Sequence, residues 1–334
     1  MRVWQDVGVP ALLVAAAGGH LEELWQLRPR LVPLSTEVTW VTTDSLQARS
    51  LLEGEQRLFA PPARPRDAQA TVANFRFARH ILALDDWTDV VSTGPLVAVP
   101  FLALACARGL RCHFVESLAR VEEPSLSAKL LERLPGVRCY SPYRWWTRPS
   151  WLYRGSVLDG YGRAPDAAPR LDRVVVTVGT SAYGFRRLIR RLRAVLPPAC
   201  DVLWQTGATN VSGLGIRARA YVRDDELLGA MAEADLVIAH AGAGSALAAM
   251  RAGIAPLLVP RRKHHTEHVD DHQTQIAAEL ARRGLATTCG AEQLDEQMVW
   301  LAASRRVRPV EASQFRLENR TPSLGASRAR RAIA

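Results

Sequence analysis

The segment His240-Ala241-Gly242-Ala243-Gly244-Ser245 constrains this chain more than any other. An apolar run, Ala234-Asp235-Leu236-Val237-Ile238-Ala239, precedes it and reads as a buried strand. Residues Ala246 to Gly253 follow and read as a helix closed by a glycine. Small residues between a strand end and a helix start aim free backbone N–H groups and a positive helix end at one spot, which suits phosphate. A second loop of the same design, Val14-Ala15-Ala16-Ala17-Gly18-Gly19-His20, opens the chain. Two such loops, one per half, predict two nucleotide-fold domains that face each other across a cleft.

The rest of the chain agrees with an α/β reading. Strand-like and helix-like stretches alternate from Ala11–Ala17 through Glu37–Thr42, Val90–Pro95 and Arg111–Glu116. After a linker rich in proline and charge, 164–170, they alternate again from Arg173–Val178 to His272–Arg283. Such alternation predicts doubly wound parallel sheets with helices on both faces, and ligands at the carboxyl ends of the strands. The 334 residues exceed one typical core and suit two. The boundaries expected are 1–165 for the first domain, 170–305 for the second, and 306–334 for a basic tail.

Composition narrows the function classes. The chain is 48% hydrophobic and 23% charged, ordinary for a globular protein. The longest apolar run, Leu96 to Ala107, is about half of the ~20 residues that cross a bilayer. The start carries an acid and no apolar signal-type core, which predicts a cytoplasmic protein. Five cysteines without CxxC spacing fit reduced thiols and exclude a zinc ribbon. The net charge is +10, with eight arginines after position 304 opposed by Glu311 and Glu318. That tail is expected either to be disordered or to pack back on the first domain; an anionic membrane or phosphate contact is a further option. No nucleic-acid module is recognisable, so no nucleic-acid partner is expected. Neither G-x-G-x-x-G with an acidic partner nor G-x-x-x-x-G-K-[ST] occurs, which argues against dinucleotide enzymes and P-loop ATPases.

Taken together, these motifs resemble the MurG-like GT-B glycosyltransferases, with a glycosyltransferase family 28 C-terminal type second half. Val176-Thr177-Val178-Gly179-Thr180, His240–Ser245, Val259-Pro260-Arg261-Arg262-Lys263 and Glu267-His268-Val269-Asp270-Asp271-His272-Gln273 look like the Alg13-type donor half. Gly18-Gly19-His20 with Glu23-Leu24, Ser92-Thr93-Gly94-Pro95 and Val115-Glu116-Ser117 through Lys129 look like the Alg14-type acceptor half. The chain is similar to both halves fused, acceptor half first, over roughly residues 11–290. The resemblance implies a GT-B fold of two Rossmann-like domains around a cleft. It implies an inverting transfer from a UDP-sugar, UDP-GlcNAc or another UDP-hexose, to a hydroxyl of a lipid-diphosphate-linked saccharide.

It also assigns residues. Gly179, Thr180, Gly207, Ala241, Gly242, Gly244 and Ser245 would hold the donor diphosphate, with His240 either donating to it or serving as a structural histidine. Ser245 also reads as a plain helix cap. Glu267, His268, Asp271, His272 and Gln273 would meet the donor sugar, where donor–acceptor side chains give specificity. Gly18, Gly19, Gly94, Pro95 and Arg120 would face the acceptor. His20 is the first candidate base, with a capping histidine as the bland alternative; Glu116 is the second, or else an ion-pair partner of Arg120. Asp44 reads as a helix cap. His264, His265, His268 and His272 lack metal-protease spacing, and Asp85-Asp86 is not D-x-D, so no metal and no cofactor is expected. One departure stands out: Ala248 occupies the place where many relatives carry a ribose-gripping glutamate. A peripheral membrane contact is expected through the Leu96–Ala107 helix or the Trp145, Trp146 and Trp151 cluster, although these tryptophans equally suit a core. The rivals are a soluble natural-product glycosyltransferase and a GT-B-fold nucleotide-sugar epimerase. Oligomeric state is not legible.

Overall fold

A computed structural model describes residues 10–62, 67–146, 148–180, 182–268 and 270–318. The first parallel sheet comprises β1 (Ala11–Ala15), β2 (Val38–Thr43), β3 (Arg57–Ala60), β4 (Asp89–Gly94), β5 (Arg111–Val115), β6 (Val137–Tyr140) and β7 (Trp151–Leu152). Their spatial order is β3-β2-β1-β4-β5-β6-β7. The second comprises β8 (Arg173–Thr177), β9 (Asp201–Gln205), β10 (Ala218–Arg219), β11 (Leu236–His240), β12 (Leu257–Val259) and β13 (Thr287–Thr288), ordered β10-β9-β8-β11-β12-β13. In each sheet the order reverses beside the first strand, between β1 and β4 and between β8 and β11. At such a switch point the loops diverge and leave a crevice.

The sequence explains these strands. Ala11-Leu12-Leu13-Val14-Ala15 is buried along its whole length, so both faces need helical cover. The cover in the first domain is α1 (Gly19–Leu27), α2 (Leu46–Leu51), α3 (Ala68–Ile81), α4 (Ala98–Ala107) and α5 (Leu126–Leu131). In the second it is α6 (Arg186–Val195), α7 (Asp224–Ala232), α8 (Ala243–Arg251), α9 (His272–Arg282) and α10 (Glu296–Ser304). Side chains at the starts of α2, α3, α5 and α10 (Ser45, Asp67, Ser125 and Asp295) accept backbone N–H bonds from Ala48, Ala70, Ala128 and Met298. The cap of α2 is therefore Ser45, not Asp44, which instead takes both arms of Arg49.

The two domains share buried surface. One cluster of buried side chains runs from Leu12, Phe101 and Phe114 to Leu247, Leu280 and Val307, and α1 packs on α8. After α10 the chain turns back. Val307–Pro309 pairs antiparallel with Tyr161–Arg163, and Phe315–Arg316 pairs parallel with Leu31–Val32. Phe315 is fully buried against Tyr140, ring centroids 5.2 Å apart. Of the two fates expected for the tail, disorder or packing back, residues 306–318 take the second: two strand pairings and one aromatic anchor hold them on the first domain. Positions 319–334 lie outside the described residues.

The expected membrane helix is corrected as well. Within α4, Phe101, Leu102 and Ala105 are core, and Trp146 and Trp151 are buried edge-to-face at 5.3 Å. Their apolarity serves packing. No helix among the described residues is long and apolar enough to cross a membrane.

Candidate active site

Four strand ends meet at the cleft, those of β1, β8, β9 and β11. A methyl group placed on Gly19 would stand 3.2 Å from the Gly244 nitrogen, and one on Gly244 3.1 Å from the Gly19 Cα. The starts of α1 and α8 therefore touch backbone to backbone, and any side chain there would part them. Between the domains lies a cleft of about 370 Å³, lined by Gly18-Gly19, Gly179-Thr180 and Gly242 to Ser245 among others. The helix α8 starts at Ala243 with Gly242 as its cap residue, so Ser245 sits within the first turn rather than capping it.

His240 accounts for the glycines around it. A Cβ on Gly179 would fall 2.6 Å from its ring, and one on Gly242 only 2.2 Å. The imidazole fills the space between both loops, so each loop must do without a side chain. Burial, with Arg261 beside it, pushes His240 down to about 3, so the ring is neutral. Gly207 supports the same place from behind: its φ is 54°, and a Cβ would lie 2.4 Å from the Gly179 carbonyl oxygen. Ala241 is buried beneath the loop and contributes backbone alone.

In the first domain, directly after Gly19, His20 is fixed by Thr93. The register between β1 and β4 shifts at Val14/Ala15, which leaves Thr93 outside the ladder. The Thr93 carbonyl accepts from His20 Nδ1 at 2.7 Å, and its hydroxyl donates to the His20 carbonyl, also at 2.7 Å. A carbonyl only accepts, so Nδ1 carries the proton and Nε2 keeps its lone pair. Burial pushes this histidine down to about 4, with the Thr93 carbonyl opposing and Arg120 and His272 assisting. Gly94, at φ 91° before Pro95, lies against the same ring; a Cβ there would be 3.9 Å from His20 Cε1. Arg120 reaches across to Asp270 of the second domain at 3.6 Å.

Other expected ligands are committed elsewhere. Both oxygens of Glu116 accept backbone N–H groups, from Ser117 at 3.0 Å and Ser125 at 2.7 Å, and the residue is 2% exposed. It organises the loop before α5 and is not presented to a hydroxyl. Its neighbour Glu23, pushed up to about 8 by burial, takes the Ser117 hydroxyl and the Leu118 N–H. Gln273 is buried with its side-chain oxygen on the Arg261 N–H, and Glu267 is held by Arg187 at 3.0 and 2.8 Å. Both fix the loop that follows β12. Asp271 accepts from Lys263 N.

His268 and His272 come together around Asp270, with His268 Nδ1 3.2 Å from the carboxylate and His272 Nδ1 in a short contact. These three groups lie within 4.8 Å of one another. Arg120 already supplies a cation to Asp270. His264 and His265 line a separate cavity with Glu292.

Several contributors escaped the sequence reading. Thr93 looked like part of a turn. Gln47 of α2 pins Gly18, accepting its N–H at 2.6 Å and donating to its carbonyl at 3.3 Å. Glu22, Tyr221 and Asp224 line the cleft although no motif marks them. Only the register shift and the meeting of three helices reveal these roles.

With this geometry in hand, likenesses to known proteins can be placed. Residues 173–320 match the glycosyltransferase family 28 C-terminal domain. The UDP-N-acetylglucosamine–N-acetylmuramyl-(pentapeptide) pyrophosphoryl-undecaprenol N-acetylglucosamine transferase of Polaromonas sp. is 28% identical over 217 residues, 58% of this chain and 52% of the relative. The UDP-N-acetylglucosamine transferase subunit ALG13 of Yarrowia lipolytica is 48% identical over 59 residues, 18% of this chain and 28% of the relative. The chain spans about half the length of the first of these curated relatives. The crystal structure of Acinetobacter baumannii MurG shares the fold, with a TM-score of 0.54 and 20% identity over 88% of this chain and 89% of that one.

Proposed function

From a GT-B fold whose second domain is of the glycosyltransferase family 28 C-terminal type, we propose that this chain is an inverting glycosyltransferase. It moves a sugar from a UDP-sugar, UDP-GlcNAc or another UDP-hexose, to a hydroxyl of a lipid-diphosphate-linked saccharide. The observation that carries this reading is the cleft itself. The second domain offers glycine loops and the start of α8; the first offers Gly18-Gly19, followed directly by His20 with its Nε2 lone pair unused by the Thr93 contact.

The chemistry follows from these groups. The diphosphate lies on N–H groups of Thr180 and Ala243 to Ser245, since those of Gly179 and Gly242 go to the Thr177 hydroxyl and the His240 carbonyl, and the glycines let oxygen approach the backbone. As the anomeric bond breaks, negative charge grows on the leaving UDP, and the positive end of α8 and the loop N–H groups stabilise it. The acceptor hydroxyl attacks from the opposite face, and His20 Nε2 takes its proton. The product is inverted at the anomeric carbon and UDP leaves. His268 and His272 stand beside the donor sugar, with Arg120 toward the acceptor. This scheme uses no metal, so transfer should survive excess EDTA. The acceptor's lipid calls for a peripheral contact with the cytoplasmic membrane face. Leu126 and Leu130, one turn apart on α5 and 81% and 54% exposed, suit it together with Trp145.

Titration calorimetry with UDP, GDP and dTDP is the direct test, followed by transfer from UDP-GlcNAc to a lipid-diphosphate saccharide. Selective UDP binding and product formation are expected. Binding of none of the three nucleotides would sink the reading.

A further inference from the structure

The cleft has two chemically opposite ends. At one, the starts of α1 and α8 meet, with the N–H groups of Ala243 to Ser245 at the head of α8. At the other stand carboxylates. Glu22, in the turn of α1 that follows Gly19, is 2% exposed and lines the cleft. Its Oε1 accepts from Gln26 Nε2 at 2.7 Å and lies 3.3 Å from Arg251 Nη1. Its Oε2 accepts no hydrogen bond among the described residues. Asp224, at the start of α7, lines the same wall. So does Tyr221, whose buried hydroxyl has no partner among the described residues. Across from them α8 offers only the methyl group of Ala248.

A diphosphate and a buried carboxylate repel each other, so the acidic end does not serve the phosphates. A carboxylate oxygen that takes no donor from the protein instead suits the hydrogen-bond donors of a ligand. A neutral vicinal diol supplies two such donors. One helical turn, about 5.4 Å, separates the phosphate-binding start of α1 from Glu22, which is the order of the step from a nucleotide's phosphates to its sugar hydroxyls. Beyond the acids, Val222, Leu227 and Met231 form an apolar wall suited to a flat base. The contact of Gly19 with Gly244 holds α1 in place, so Glu22 stays over the cleft.

We propose that Glu22, a residue of the first domain, accepts the ribose hydroxyls of the nucleoside diphosphate held by the second. This rests on the reading of the cleft as a nucleotide site. It makes donor recognition a property of both domains: the acid missing at position 248 of α8 is supplied from α1. Burial raises the Glu22 carboxyl above its usual range, with Arg251 pulling it back.

The test compares UDP with 2′,3′-dideoxy-UDP by calorimetry on the full chain. The wild type should prefer UDP by about tenfold or more. In Glu22→Gln that preference should shrink to within about threefold, with dideoxy-UDP affinity unchanged. Should loss of the Arg251 partner disturb folding, Glu22→Ala/Ala248→Glu moves the acid to the facing helix and should restore the preference. UDP bound with no preference by the wild type, or a preference untouched by Glu22→Gln, overturns the assignment and leaves the nucleotide site standing. Failure of the wild type to bind UDP at all overturns both.

Discussion

His20 shows how one backbone irregularity sets a side chain's chemistry. The register shift frees Thr93, Thr93 fixes the tautomer, and the tautomer points a lone pair outward. Because burial holds this histidine near 4, it is a free base at neutral pH, and activity is lost only as pH falls through that value. An unperturbed imidazole would give a break at about 6.5. We therefore expect kcat/KM to be flat from roughly pH 5 to 8 with respect to this group, read from the pH–rate profile. His20→Asn keeps the Thr93 contact and removes the base; kcat should fall about 10²- to 10⁴-fold with little change in UDP affinity. A clear break near 6.5 in the wild type would assign the proton transfer to another group.

Among the elements, glycines are placed where loops and helix starts meet other atoms. Gly207 combines a left-handed φ of 54° with a Cβ position 2.4 Å from the Gly179 carbonyl. Gly207→Ala should cost roughly 2 kcal/mol or more in thermal unfolding, since backbone strain and overlap act together. It should also weaken UDP binding by shifting Gly179. Gly213, at φ 75° with open space around it, is the control: there alanine meets strain alone and a smaller loss follows. The elements also explain the fate of several polar residues. Gln273 and Glu267 follow β12 where a loop must be tied down, and their hydrogen bonds to Arg261 and Arg187 do that.

At the scale of the whole molecule, the last described segment returns to the first domain. The segment after α10 crosses from the second domain, pairs with Leu31–Val32 and buries Phe315 beside Tyr140. The two domains are thereby joined twice, once by the link before β8 and once by this return. Phe315→Ala should cost about 3–5 kcal/mol, the range for emptying a buried aromatic site. Urea unfolding followed by tryptophan fluorescence would measure it. A loss below about 1 kcal/mol would mean that the return segment is not part of the core.

Periodicity and small-residue loops were enough to read two parallel α/β domains, because buried strands must be apolar and phosphate loops must be small. The same signals singled out the Gly18-Gly19 and Gly242–Ser245 loops, which the structure brings to one cleft. Other assignments depended on tertiary structure. Glu116 reads as a free acid until Ser117 and Ser125 are seen to donate to it. The Leu96–Ala107 stretch reads as a membrane face until its side chains are found in the core. The described part of the basic tail shows no period because strands of three and two residues carry too few side chains to show one. Glu22 shows nothing in the sequence at all, since its place depends on α1 and α8 touching at two glycines more than 200 positions apart. Local pattern decides which elements form; which side chains are left facing a ligand is decided only when distant elements pack and use up the others' hydrogen bonds.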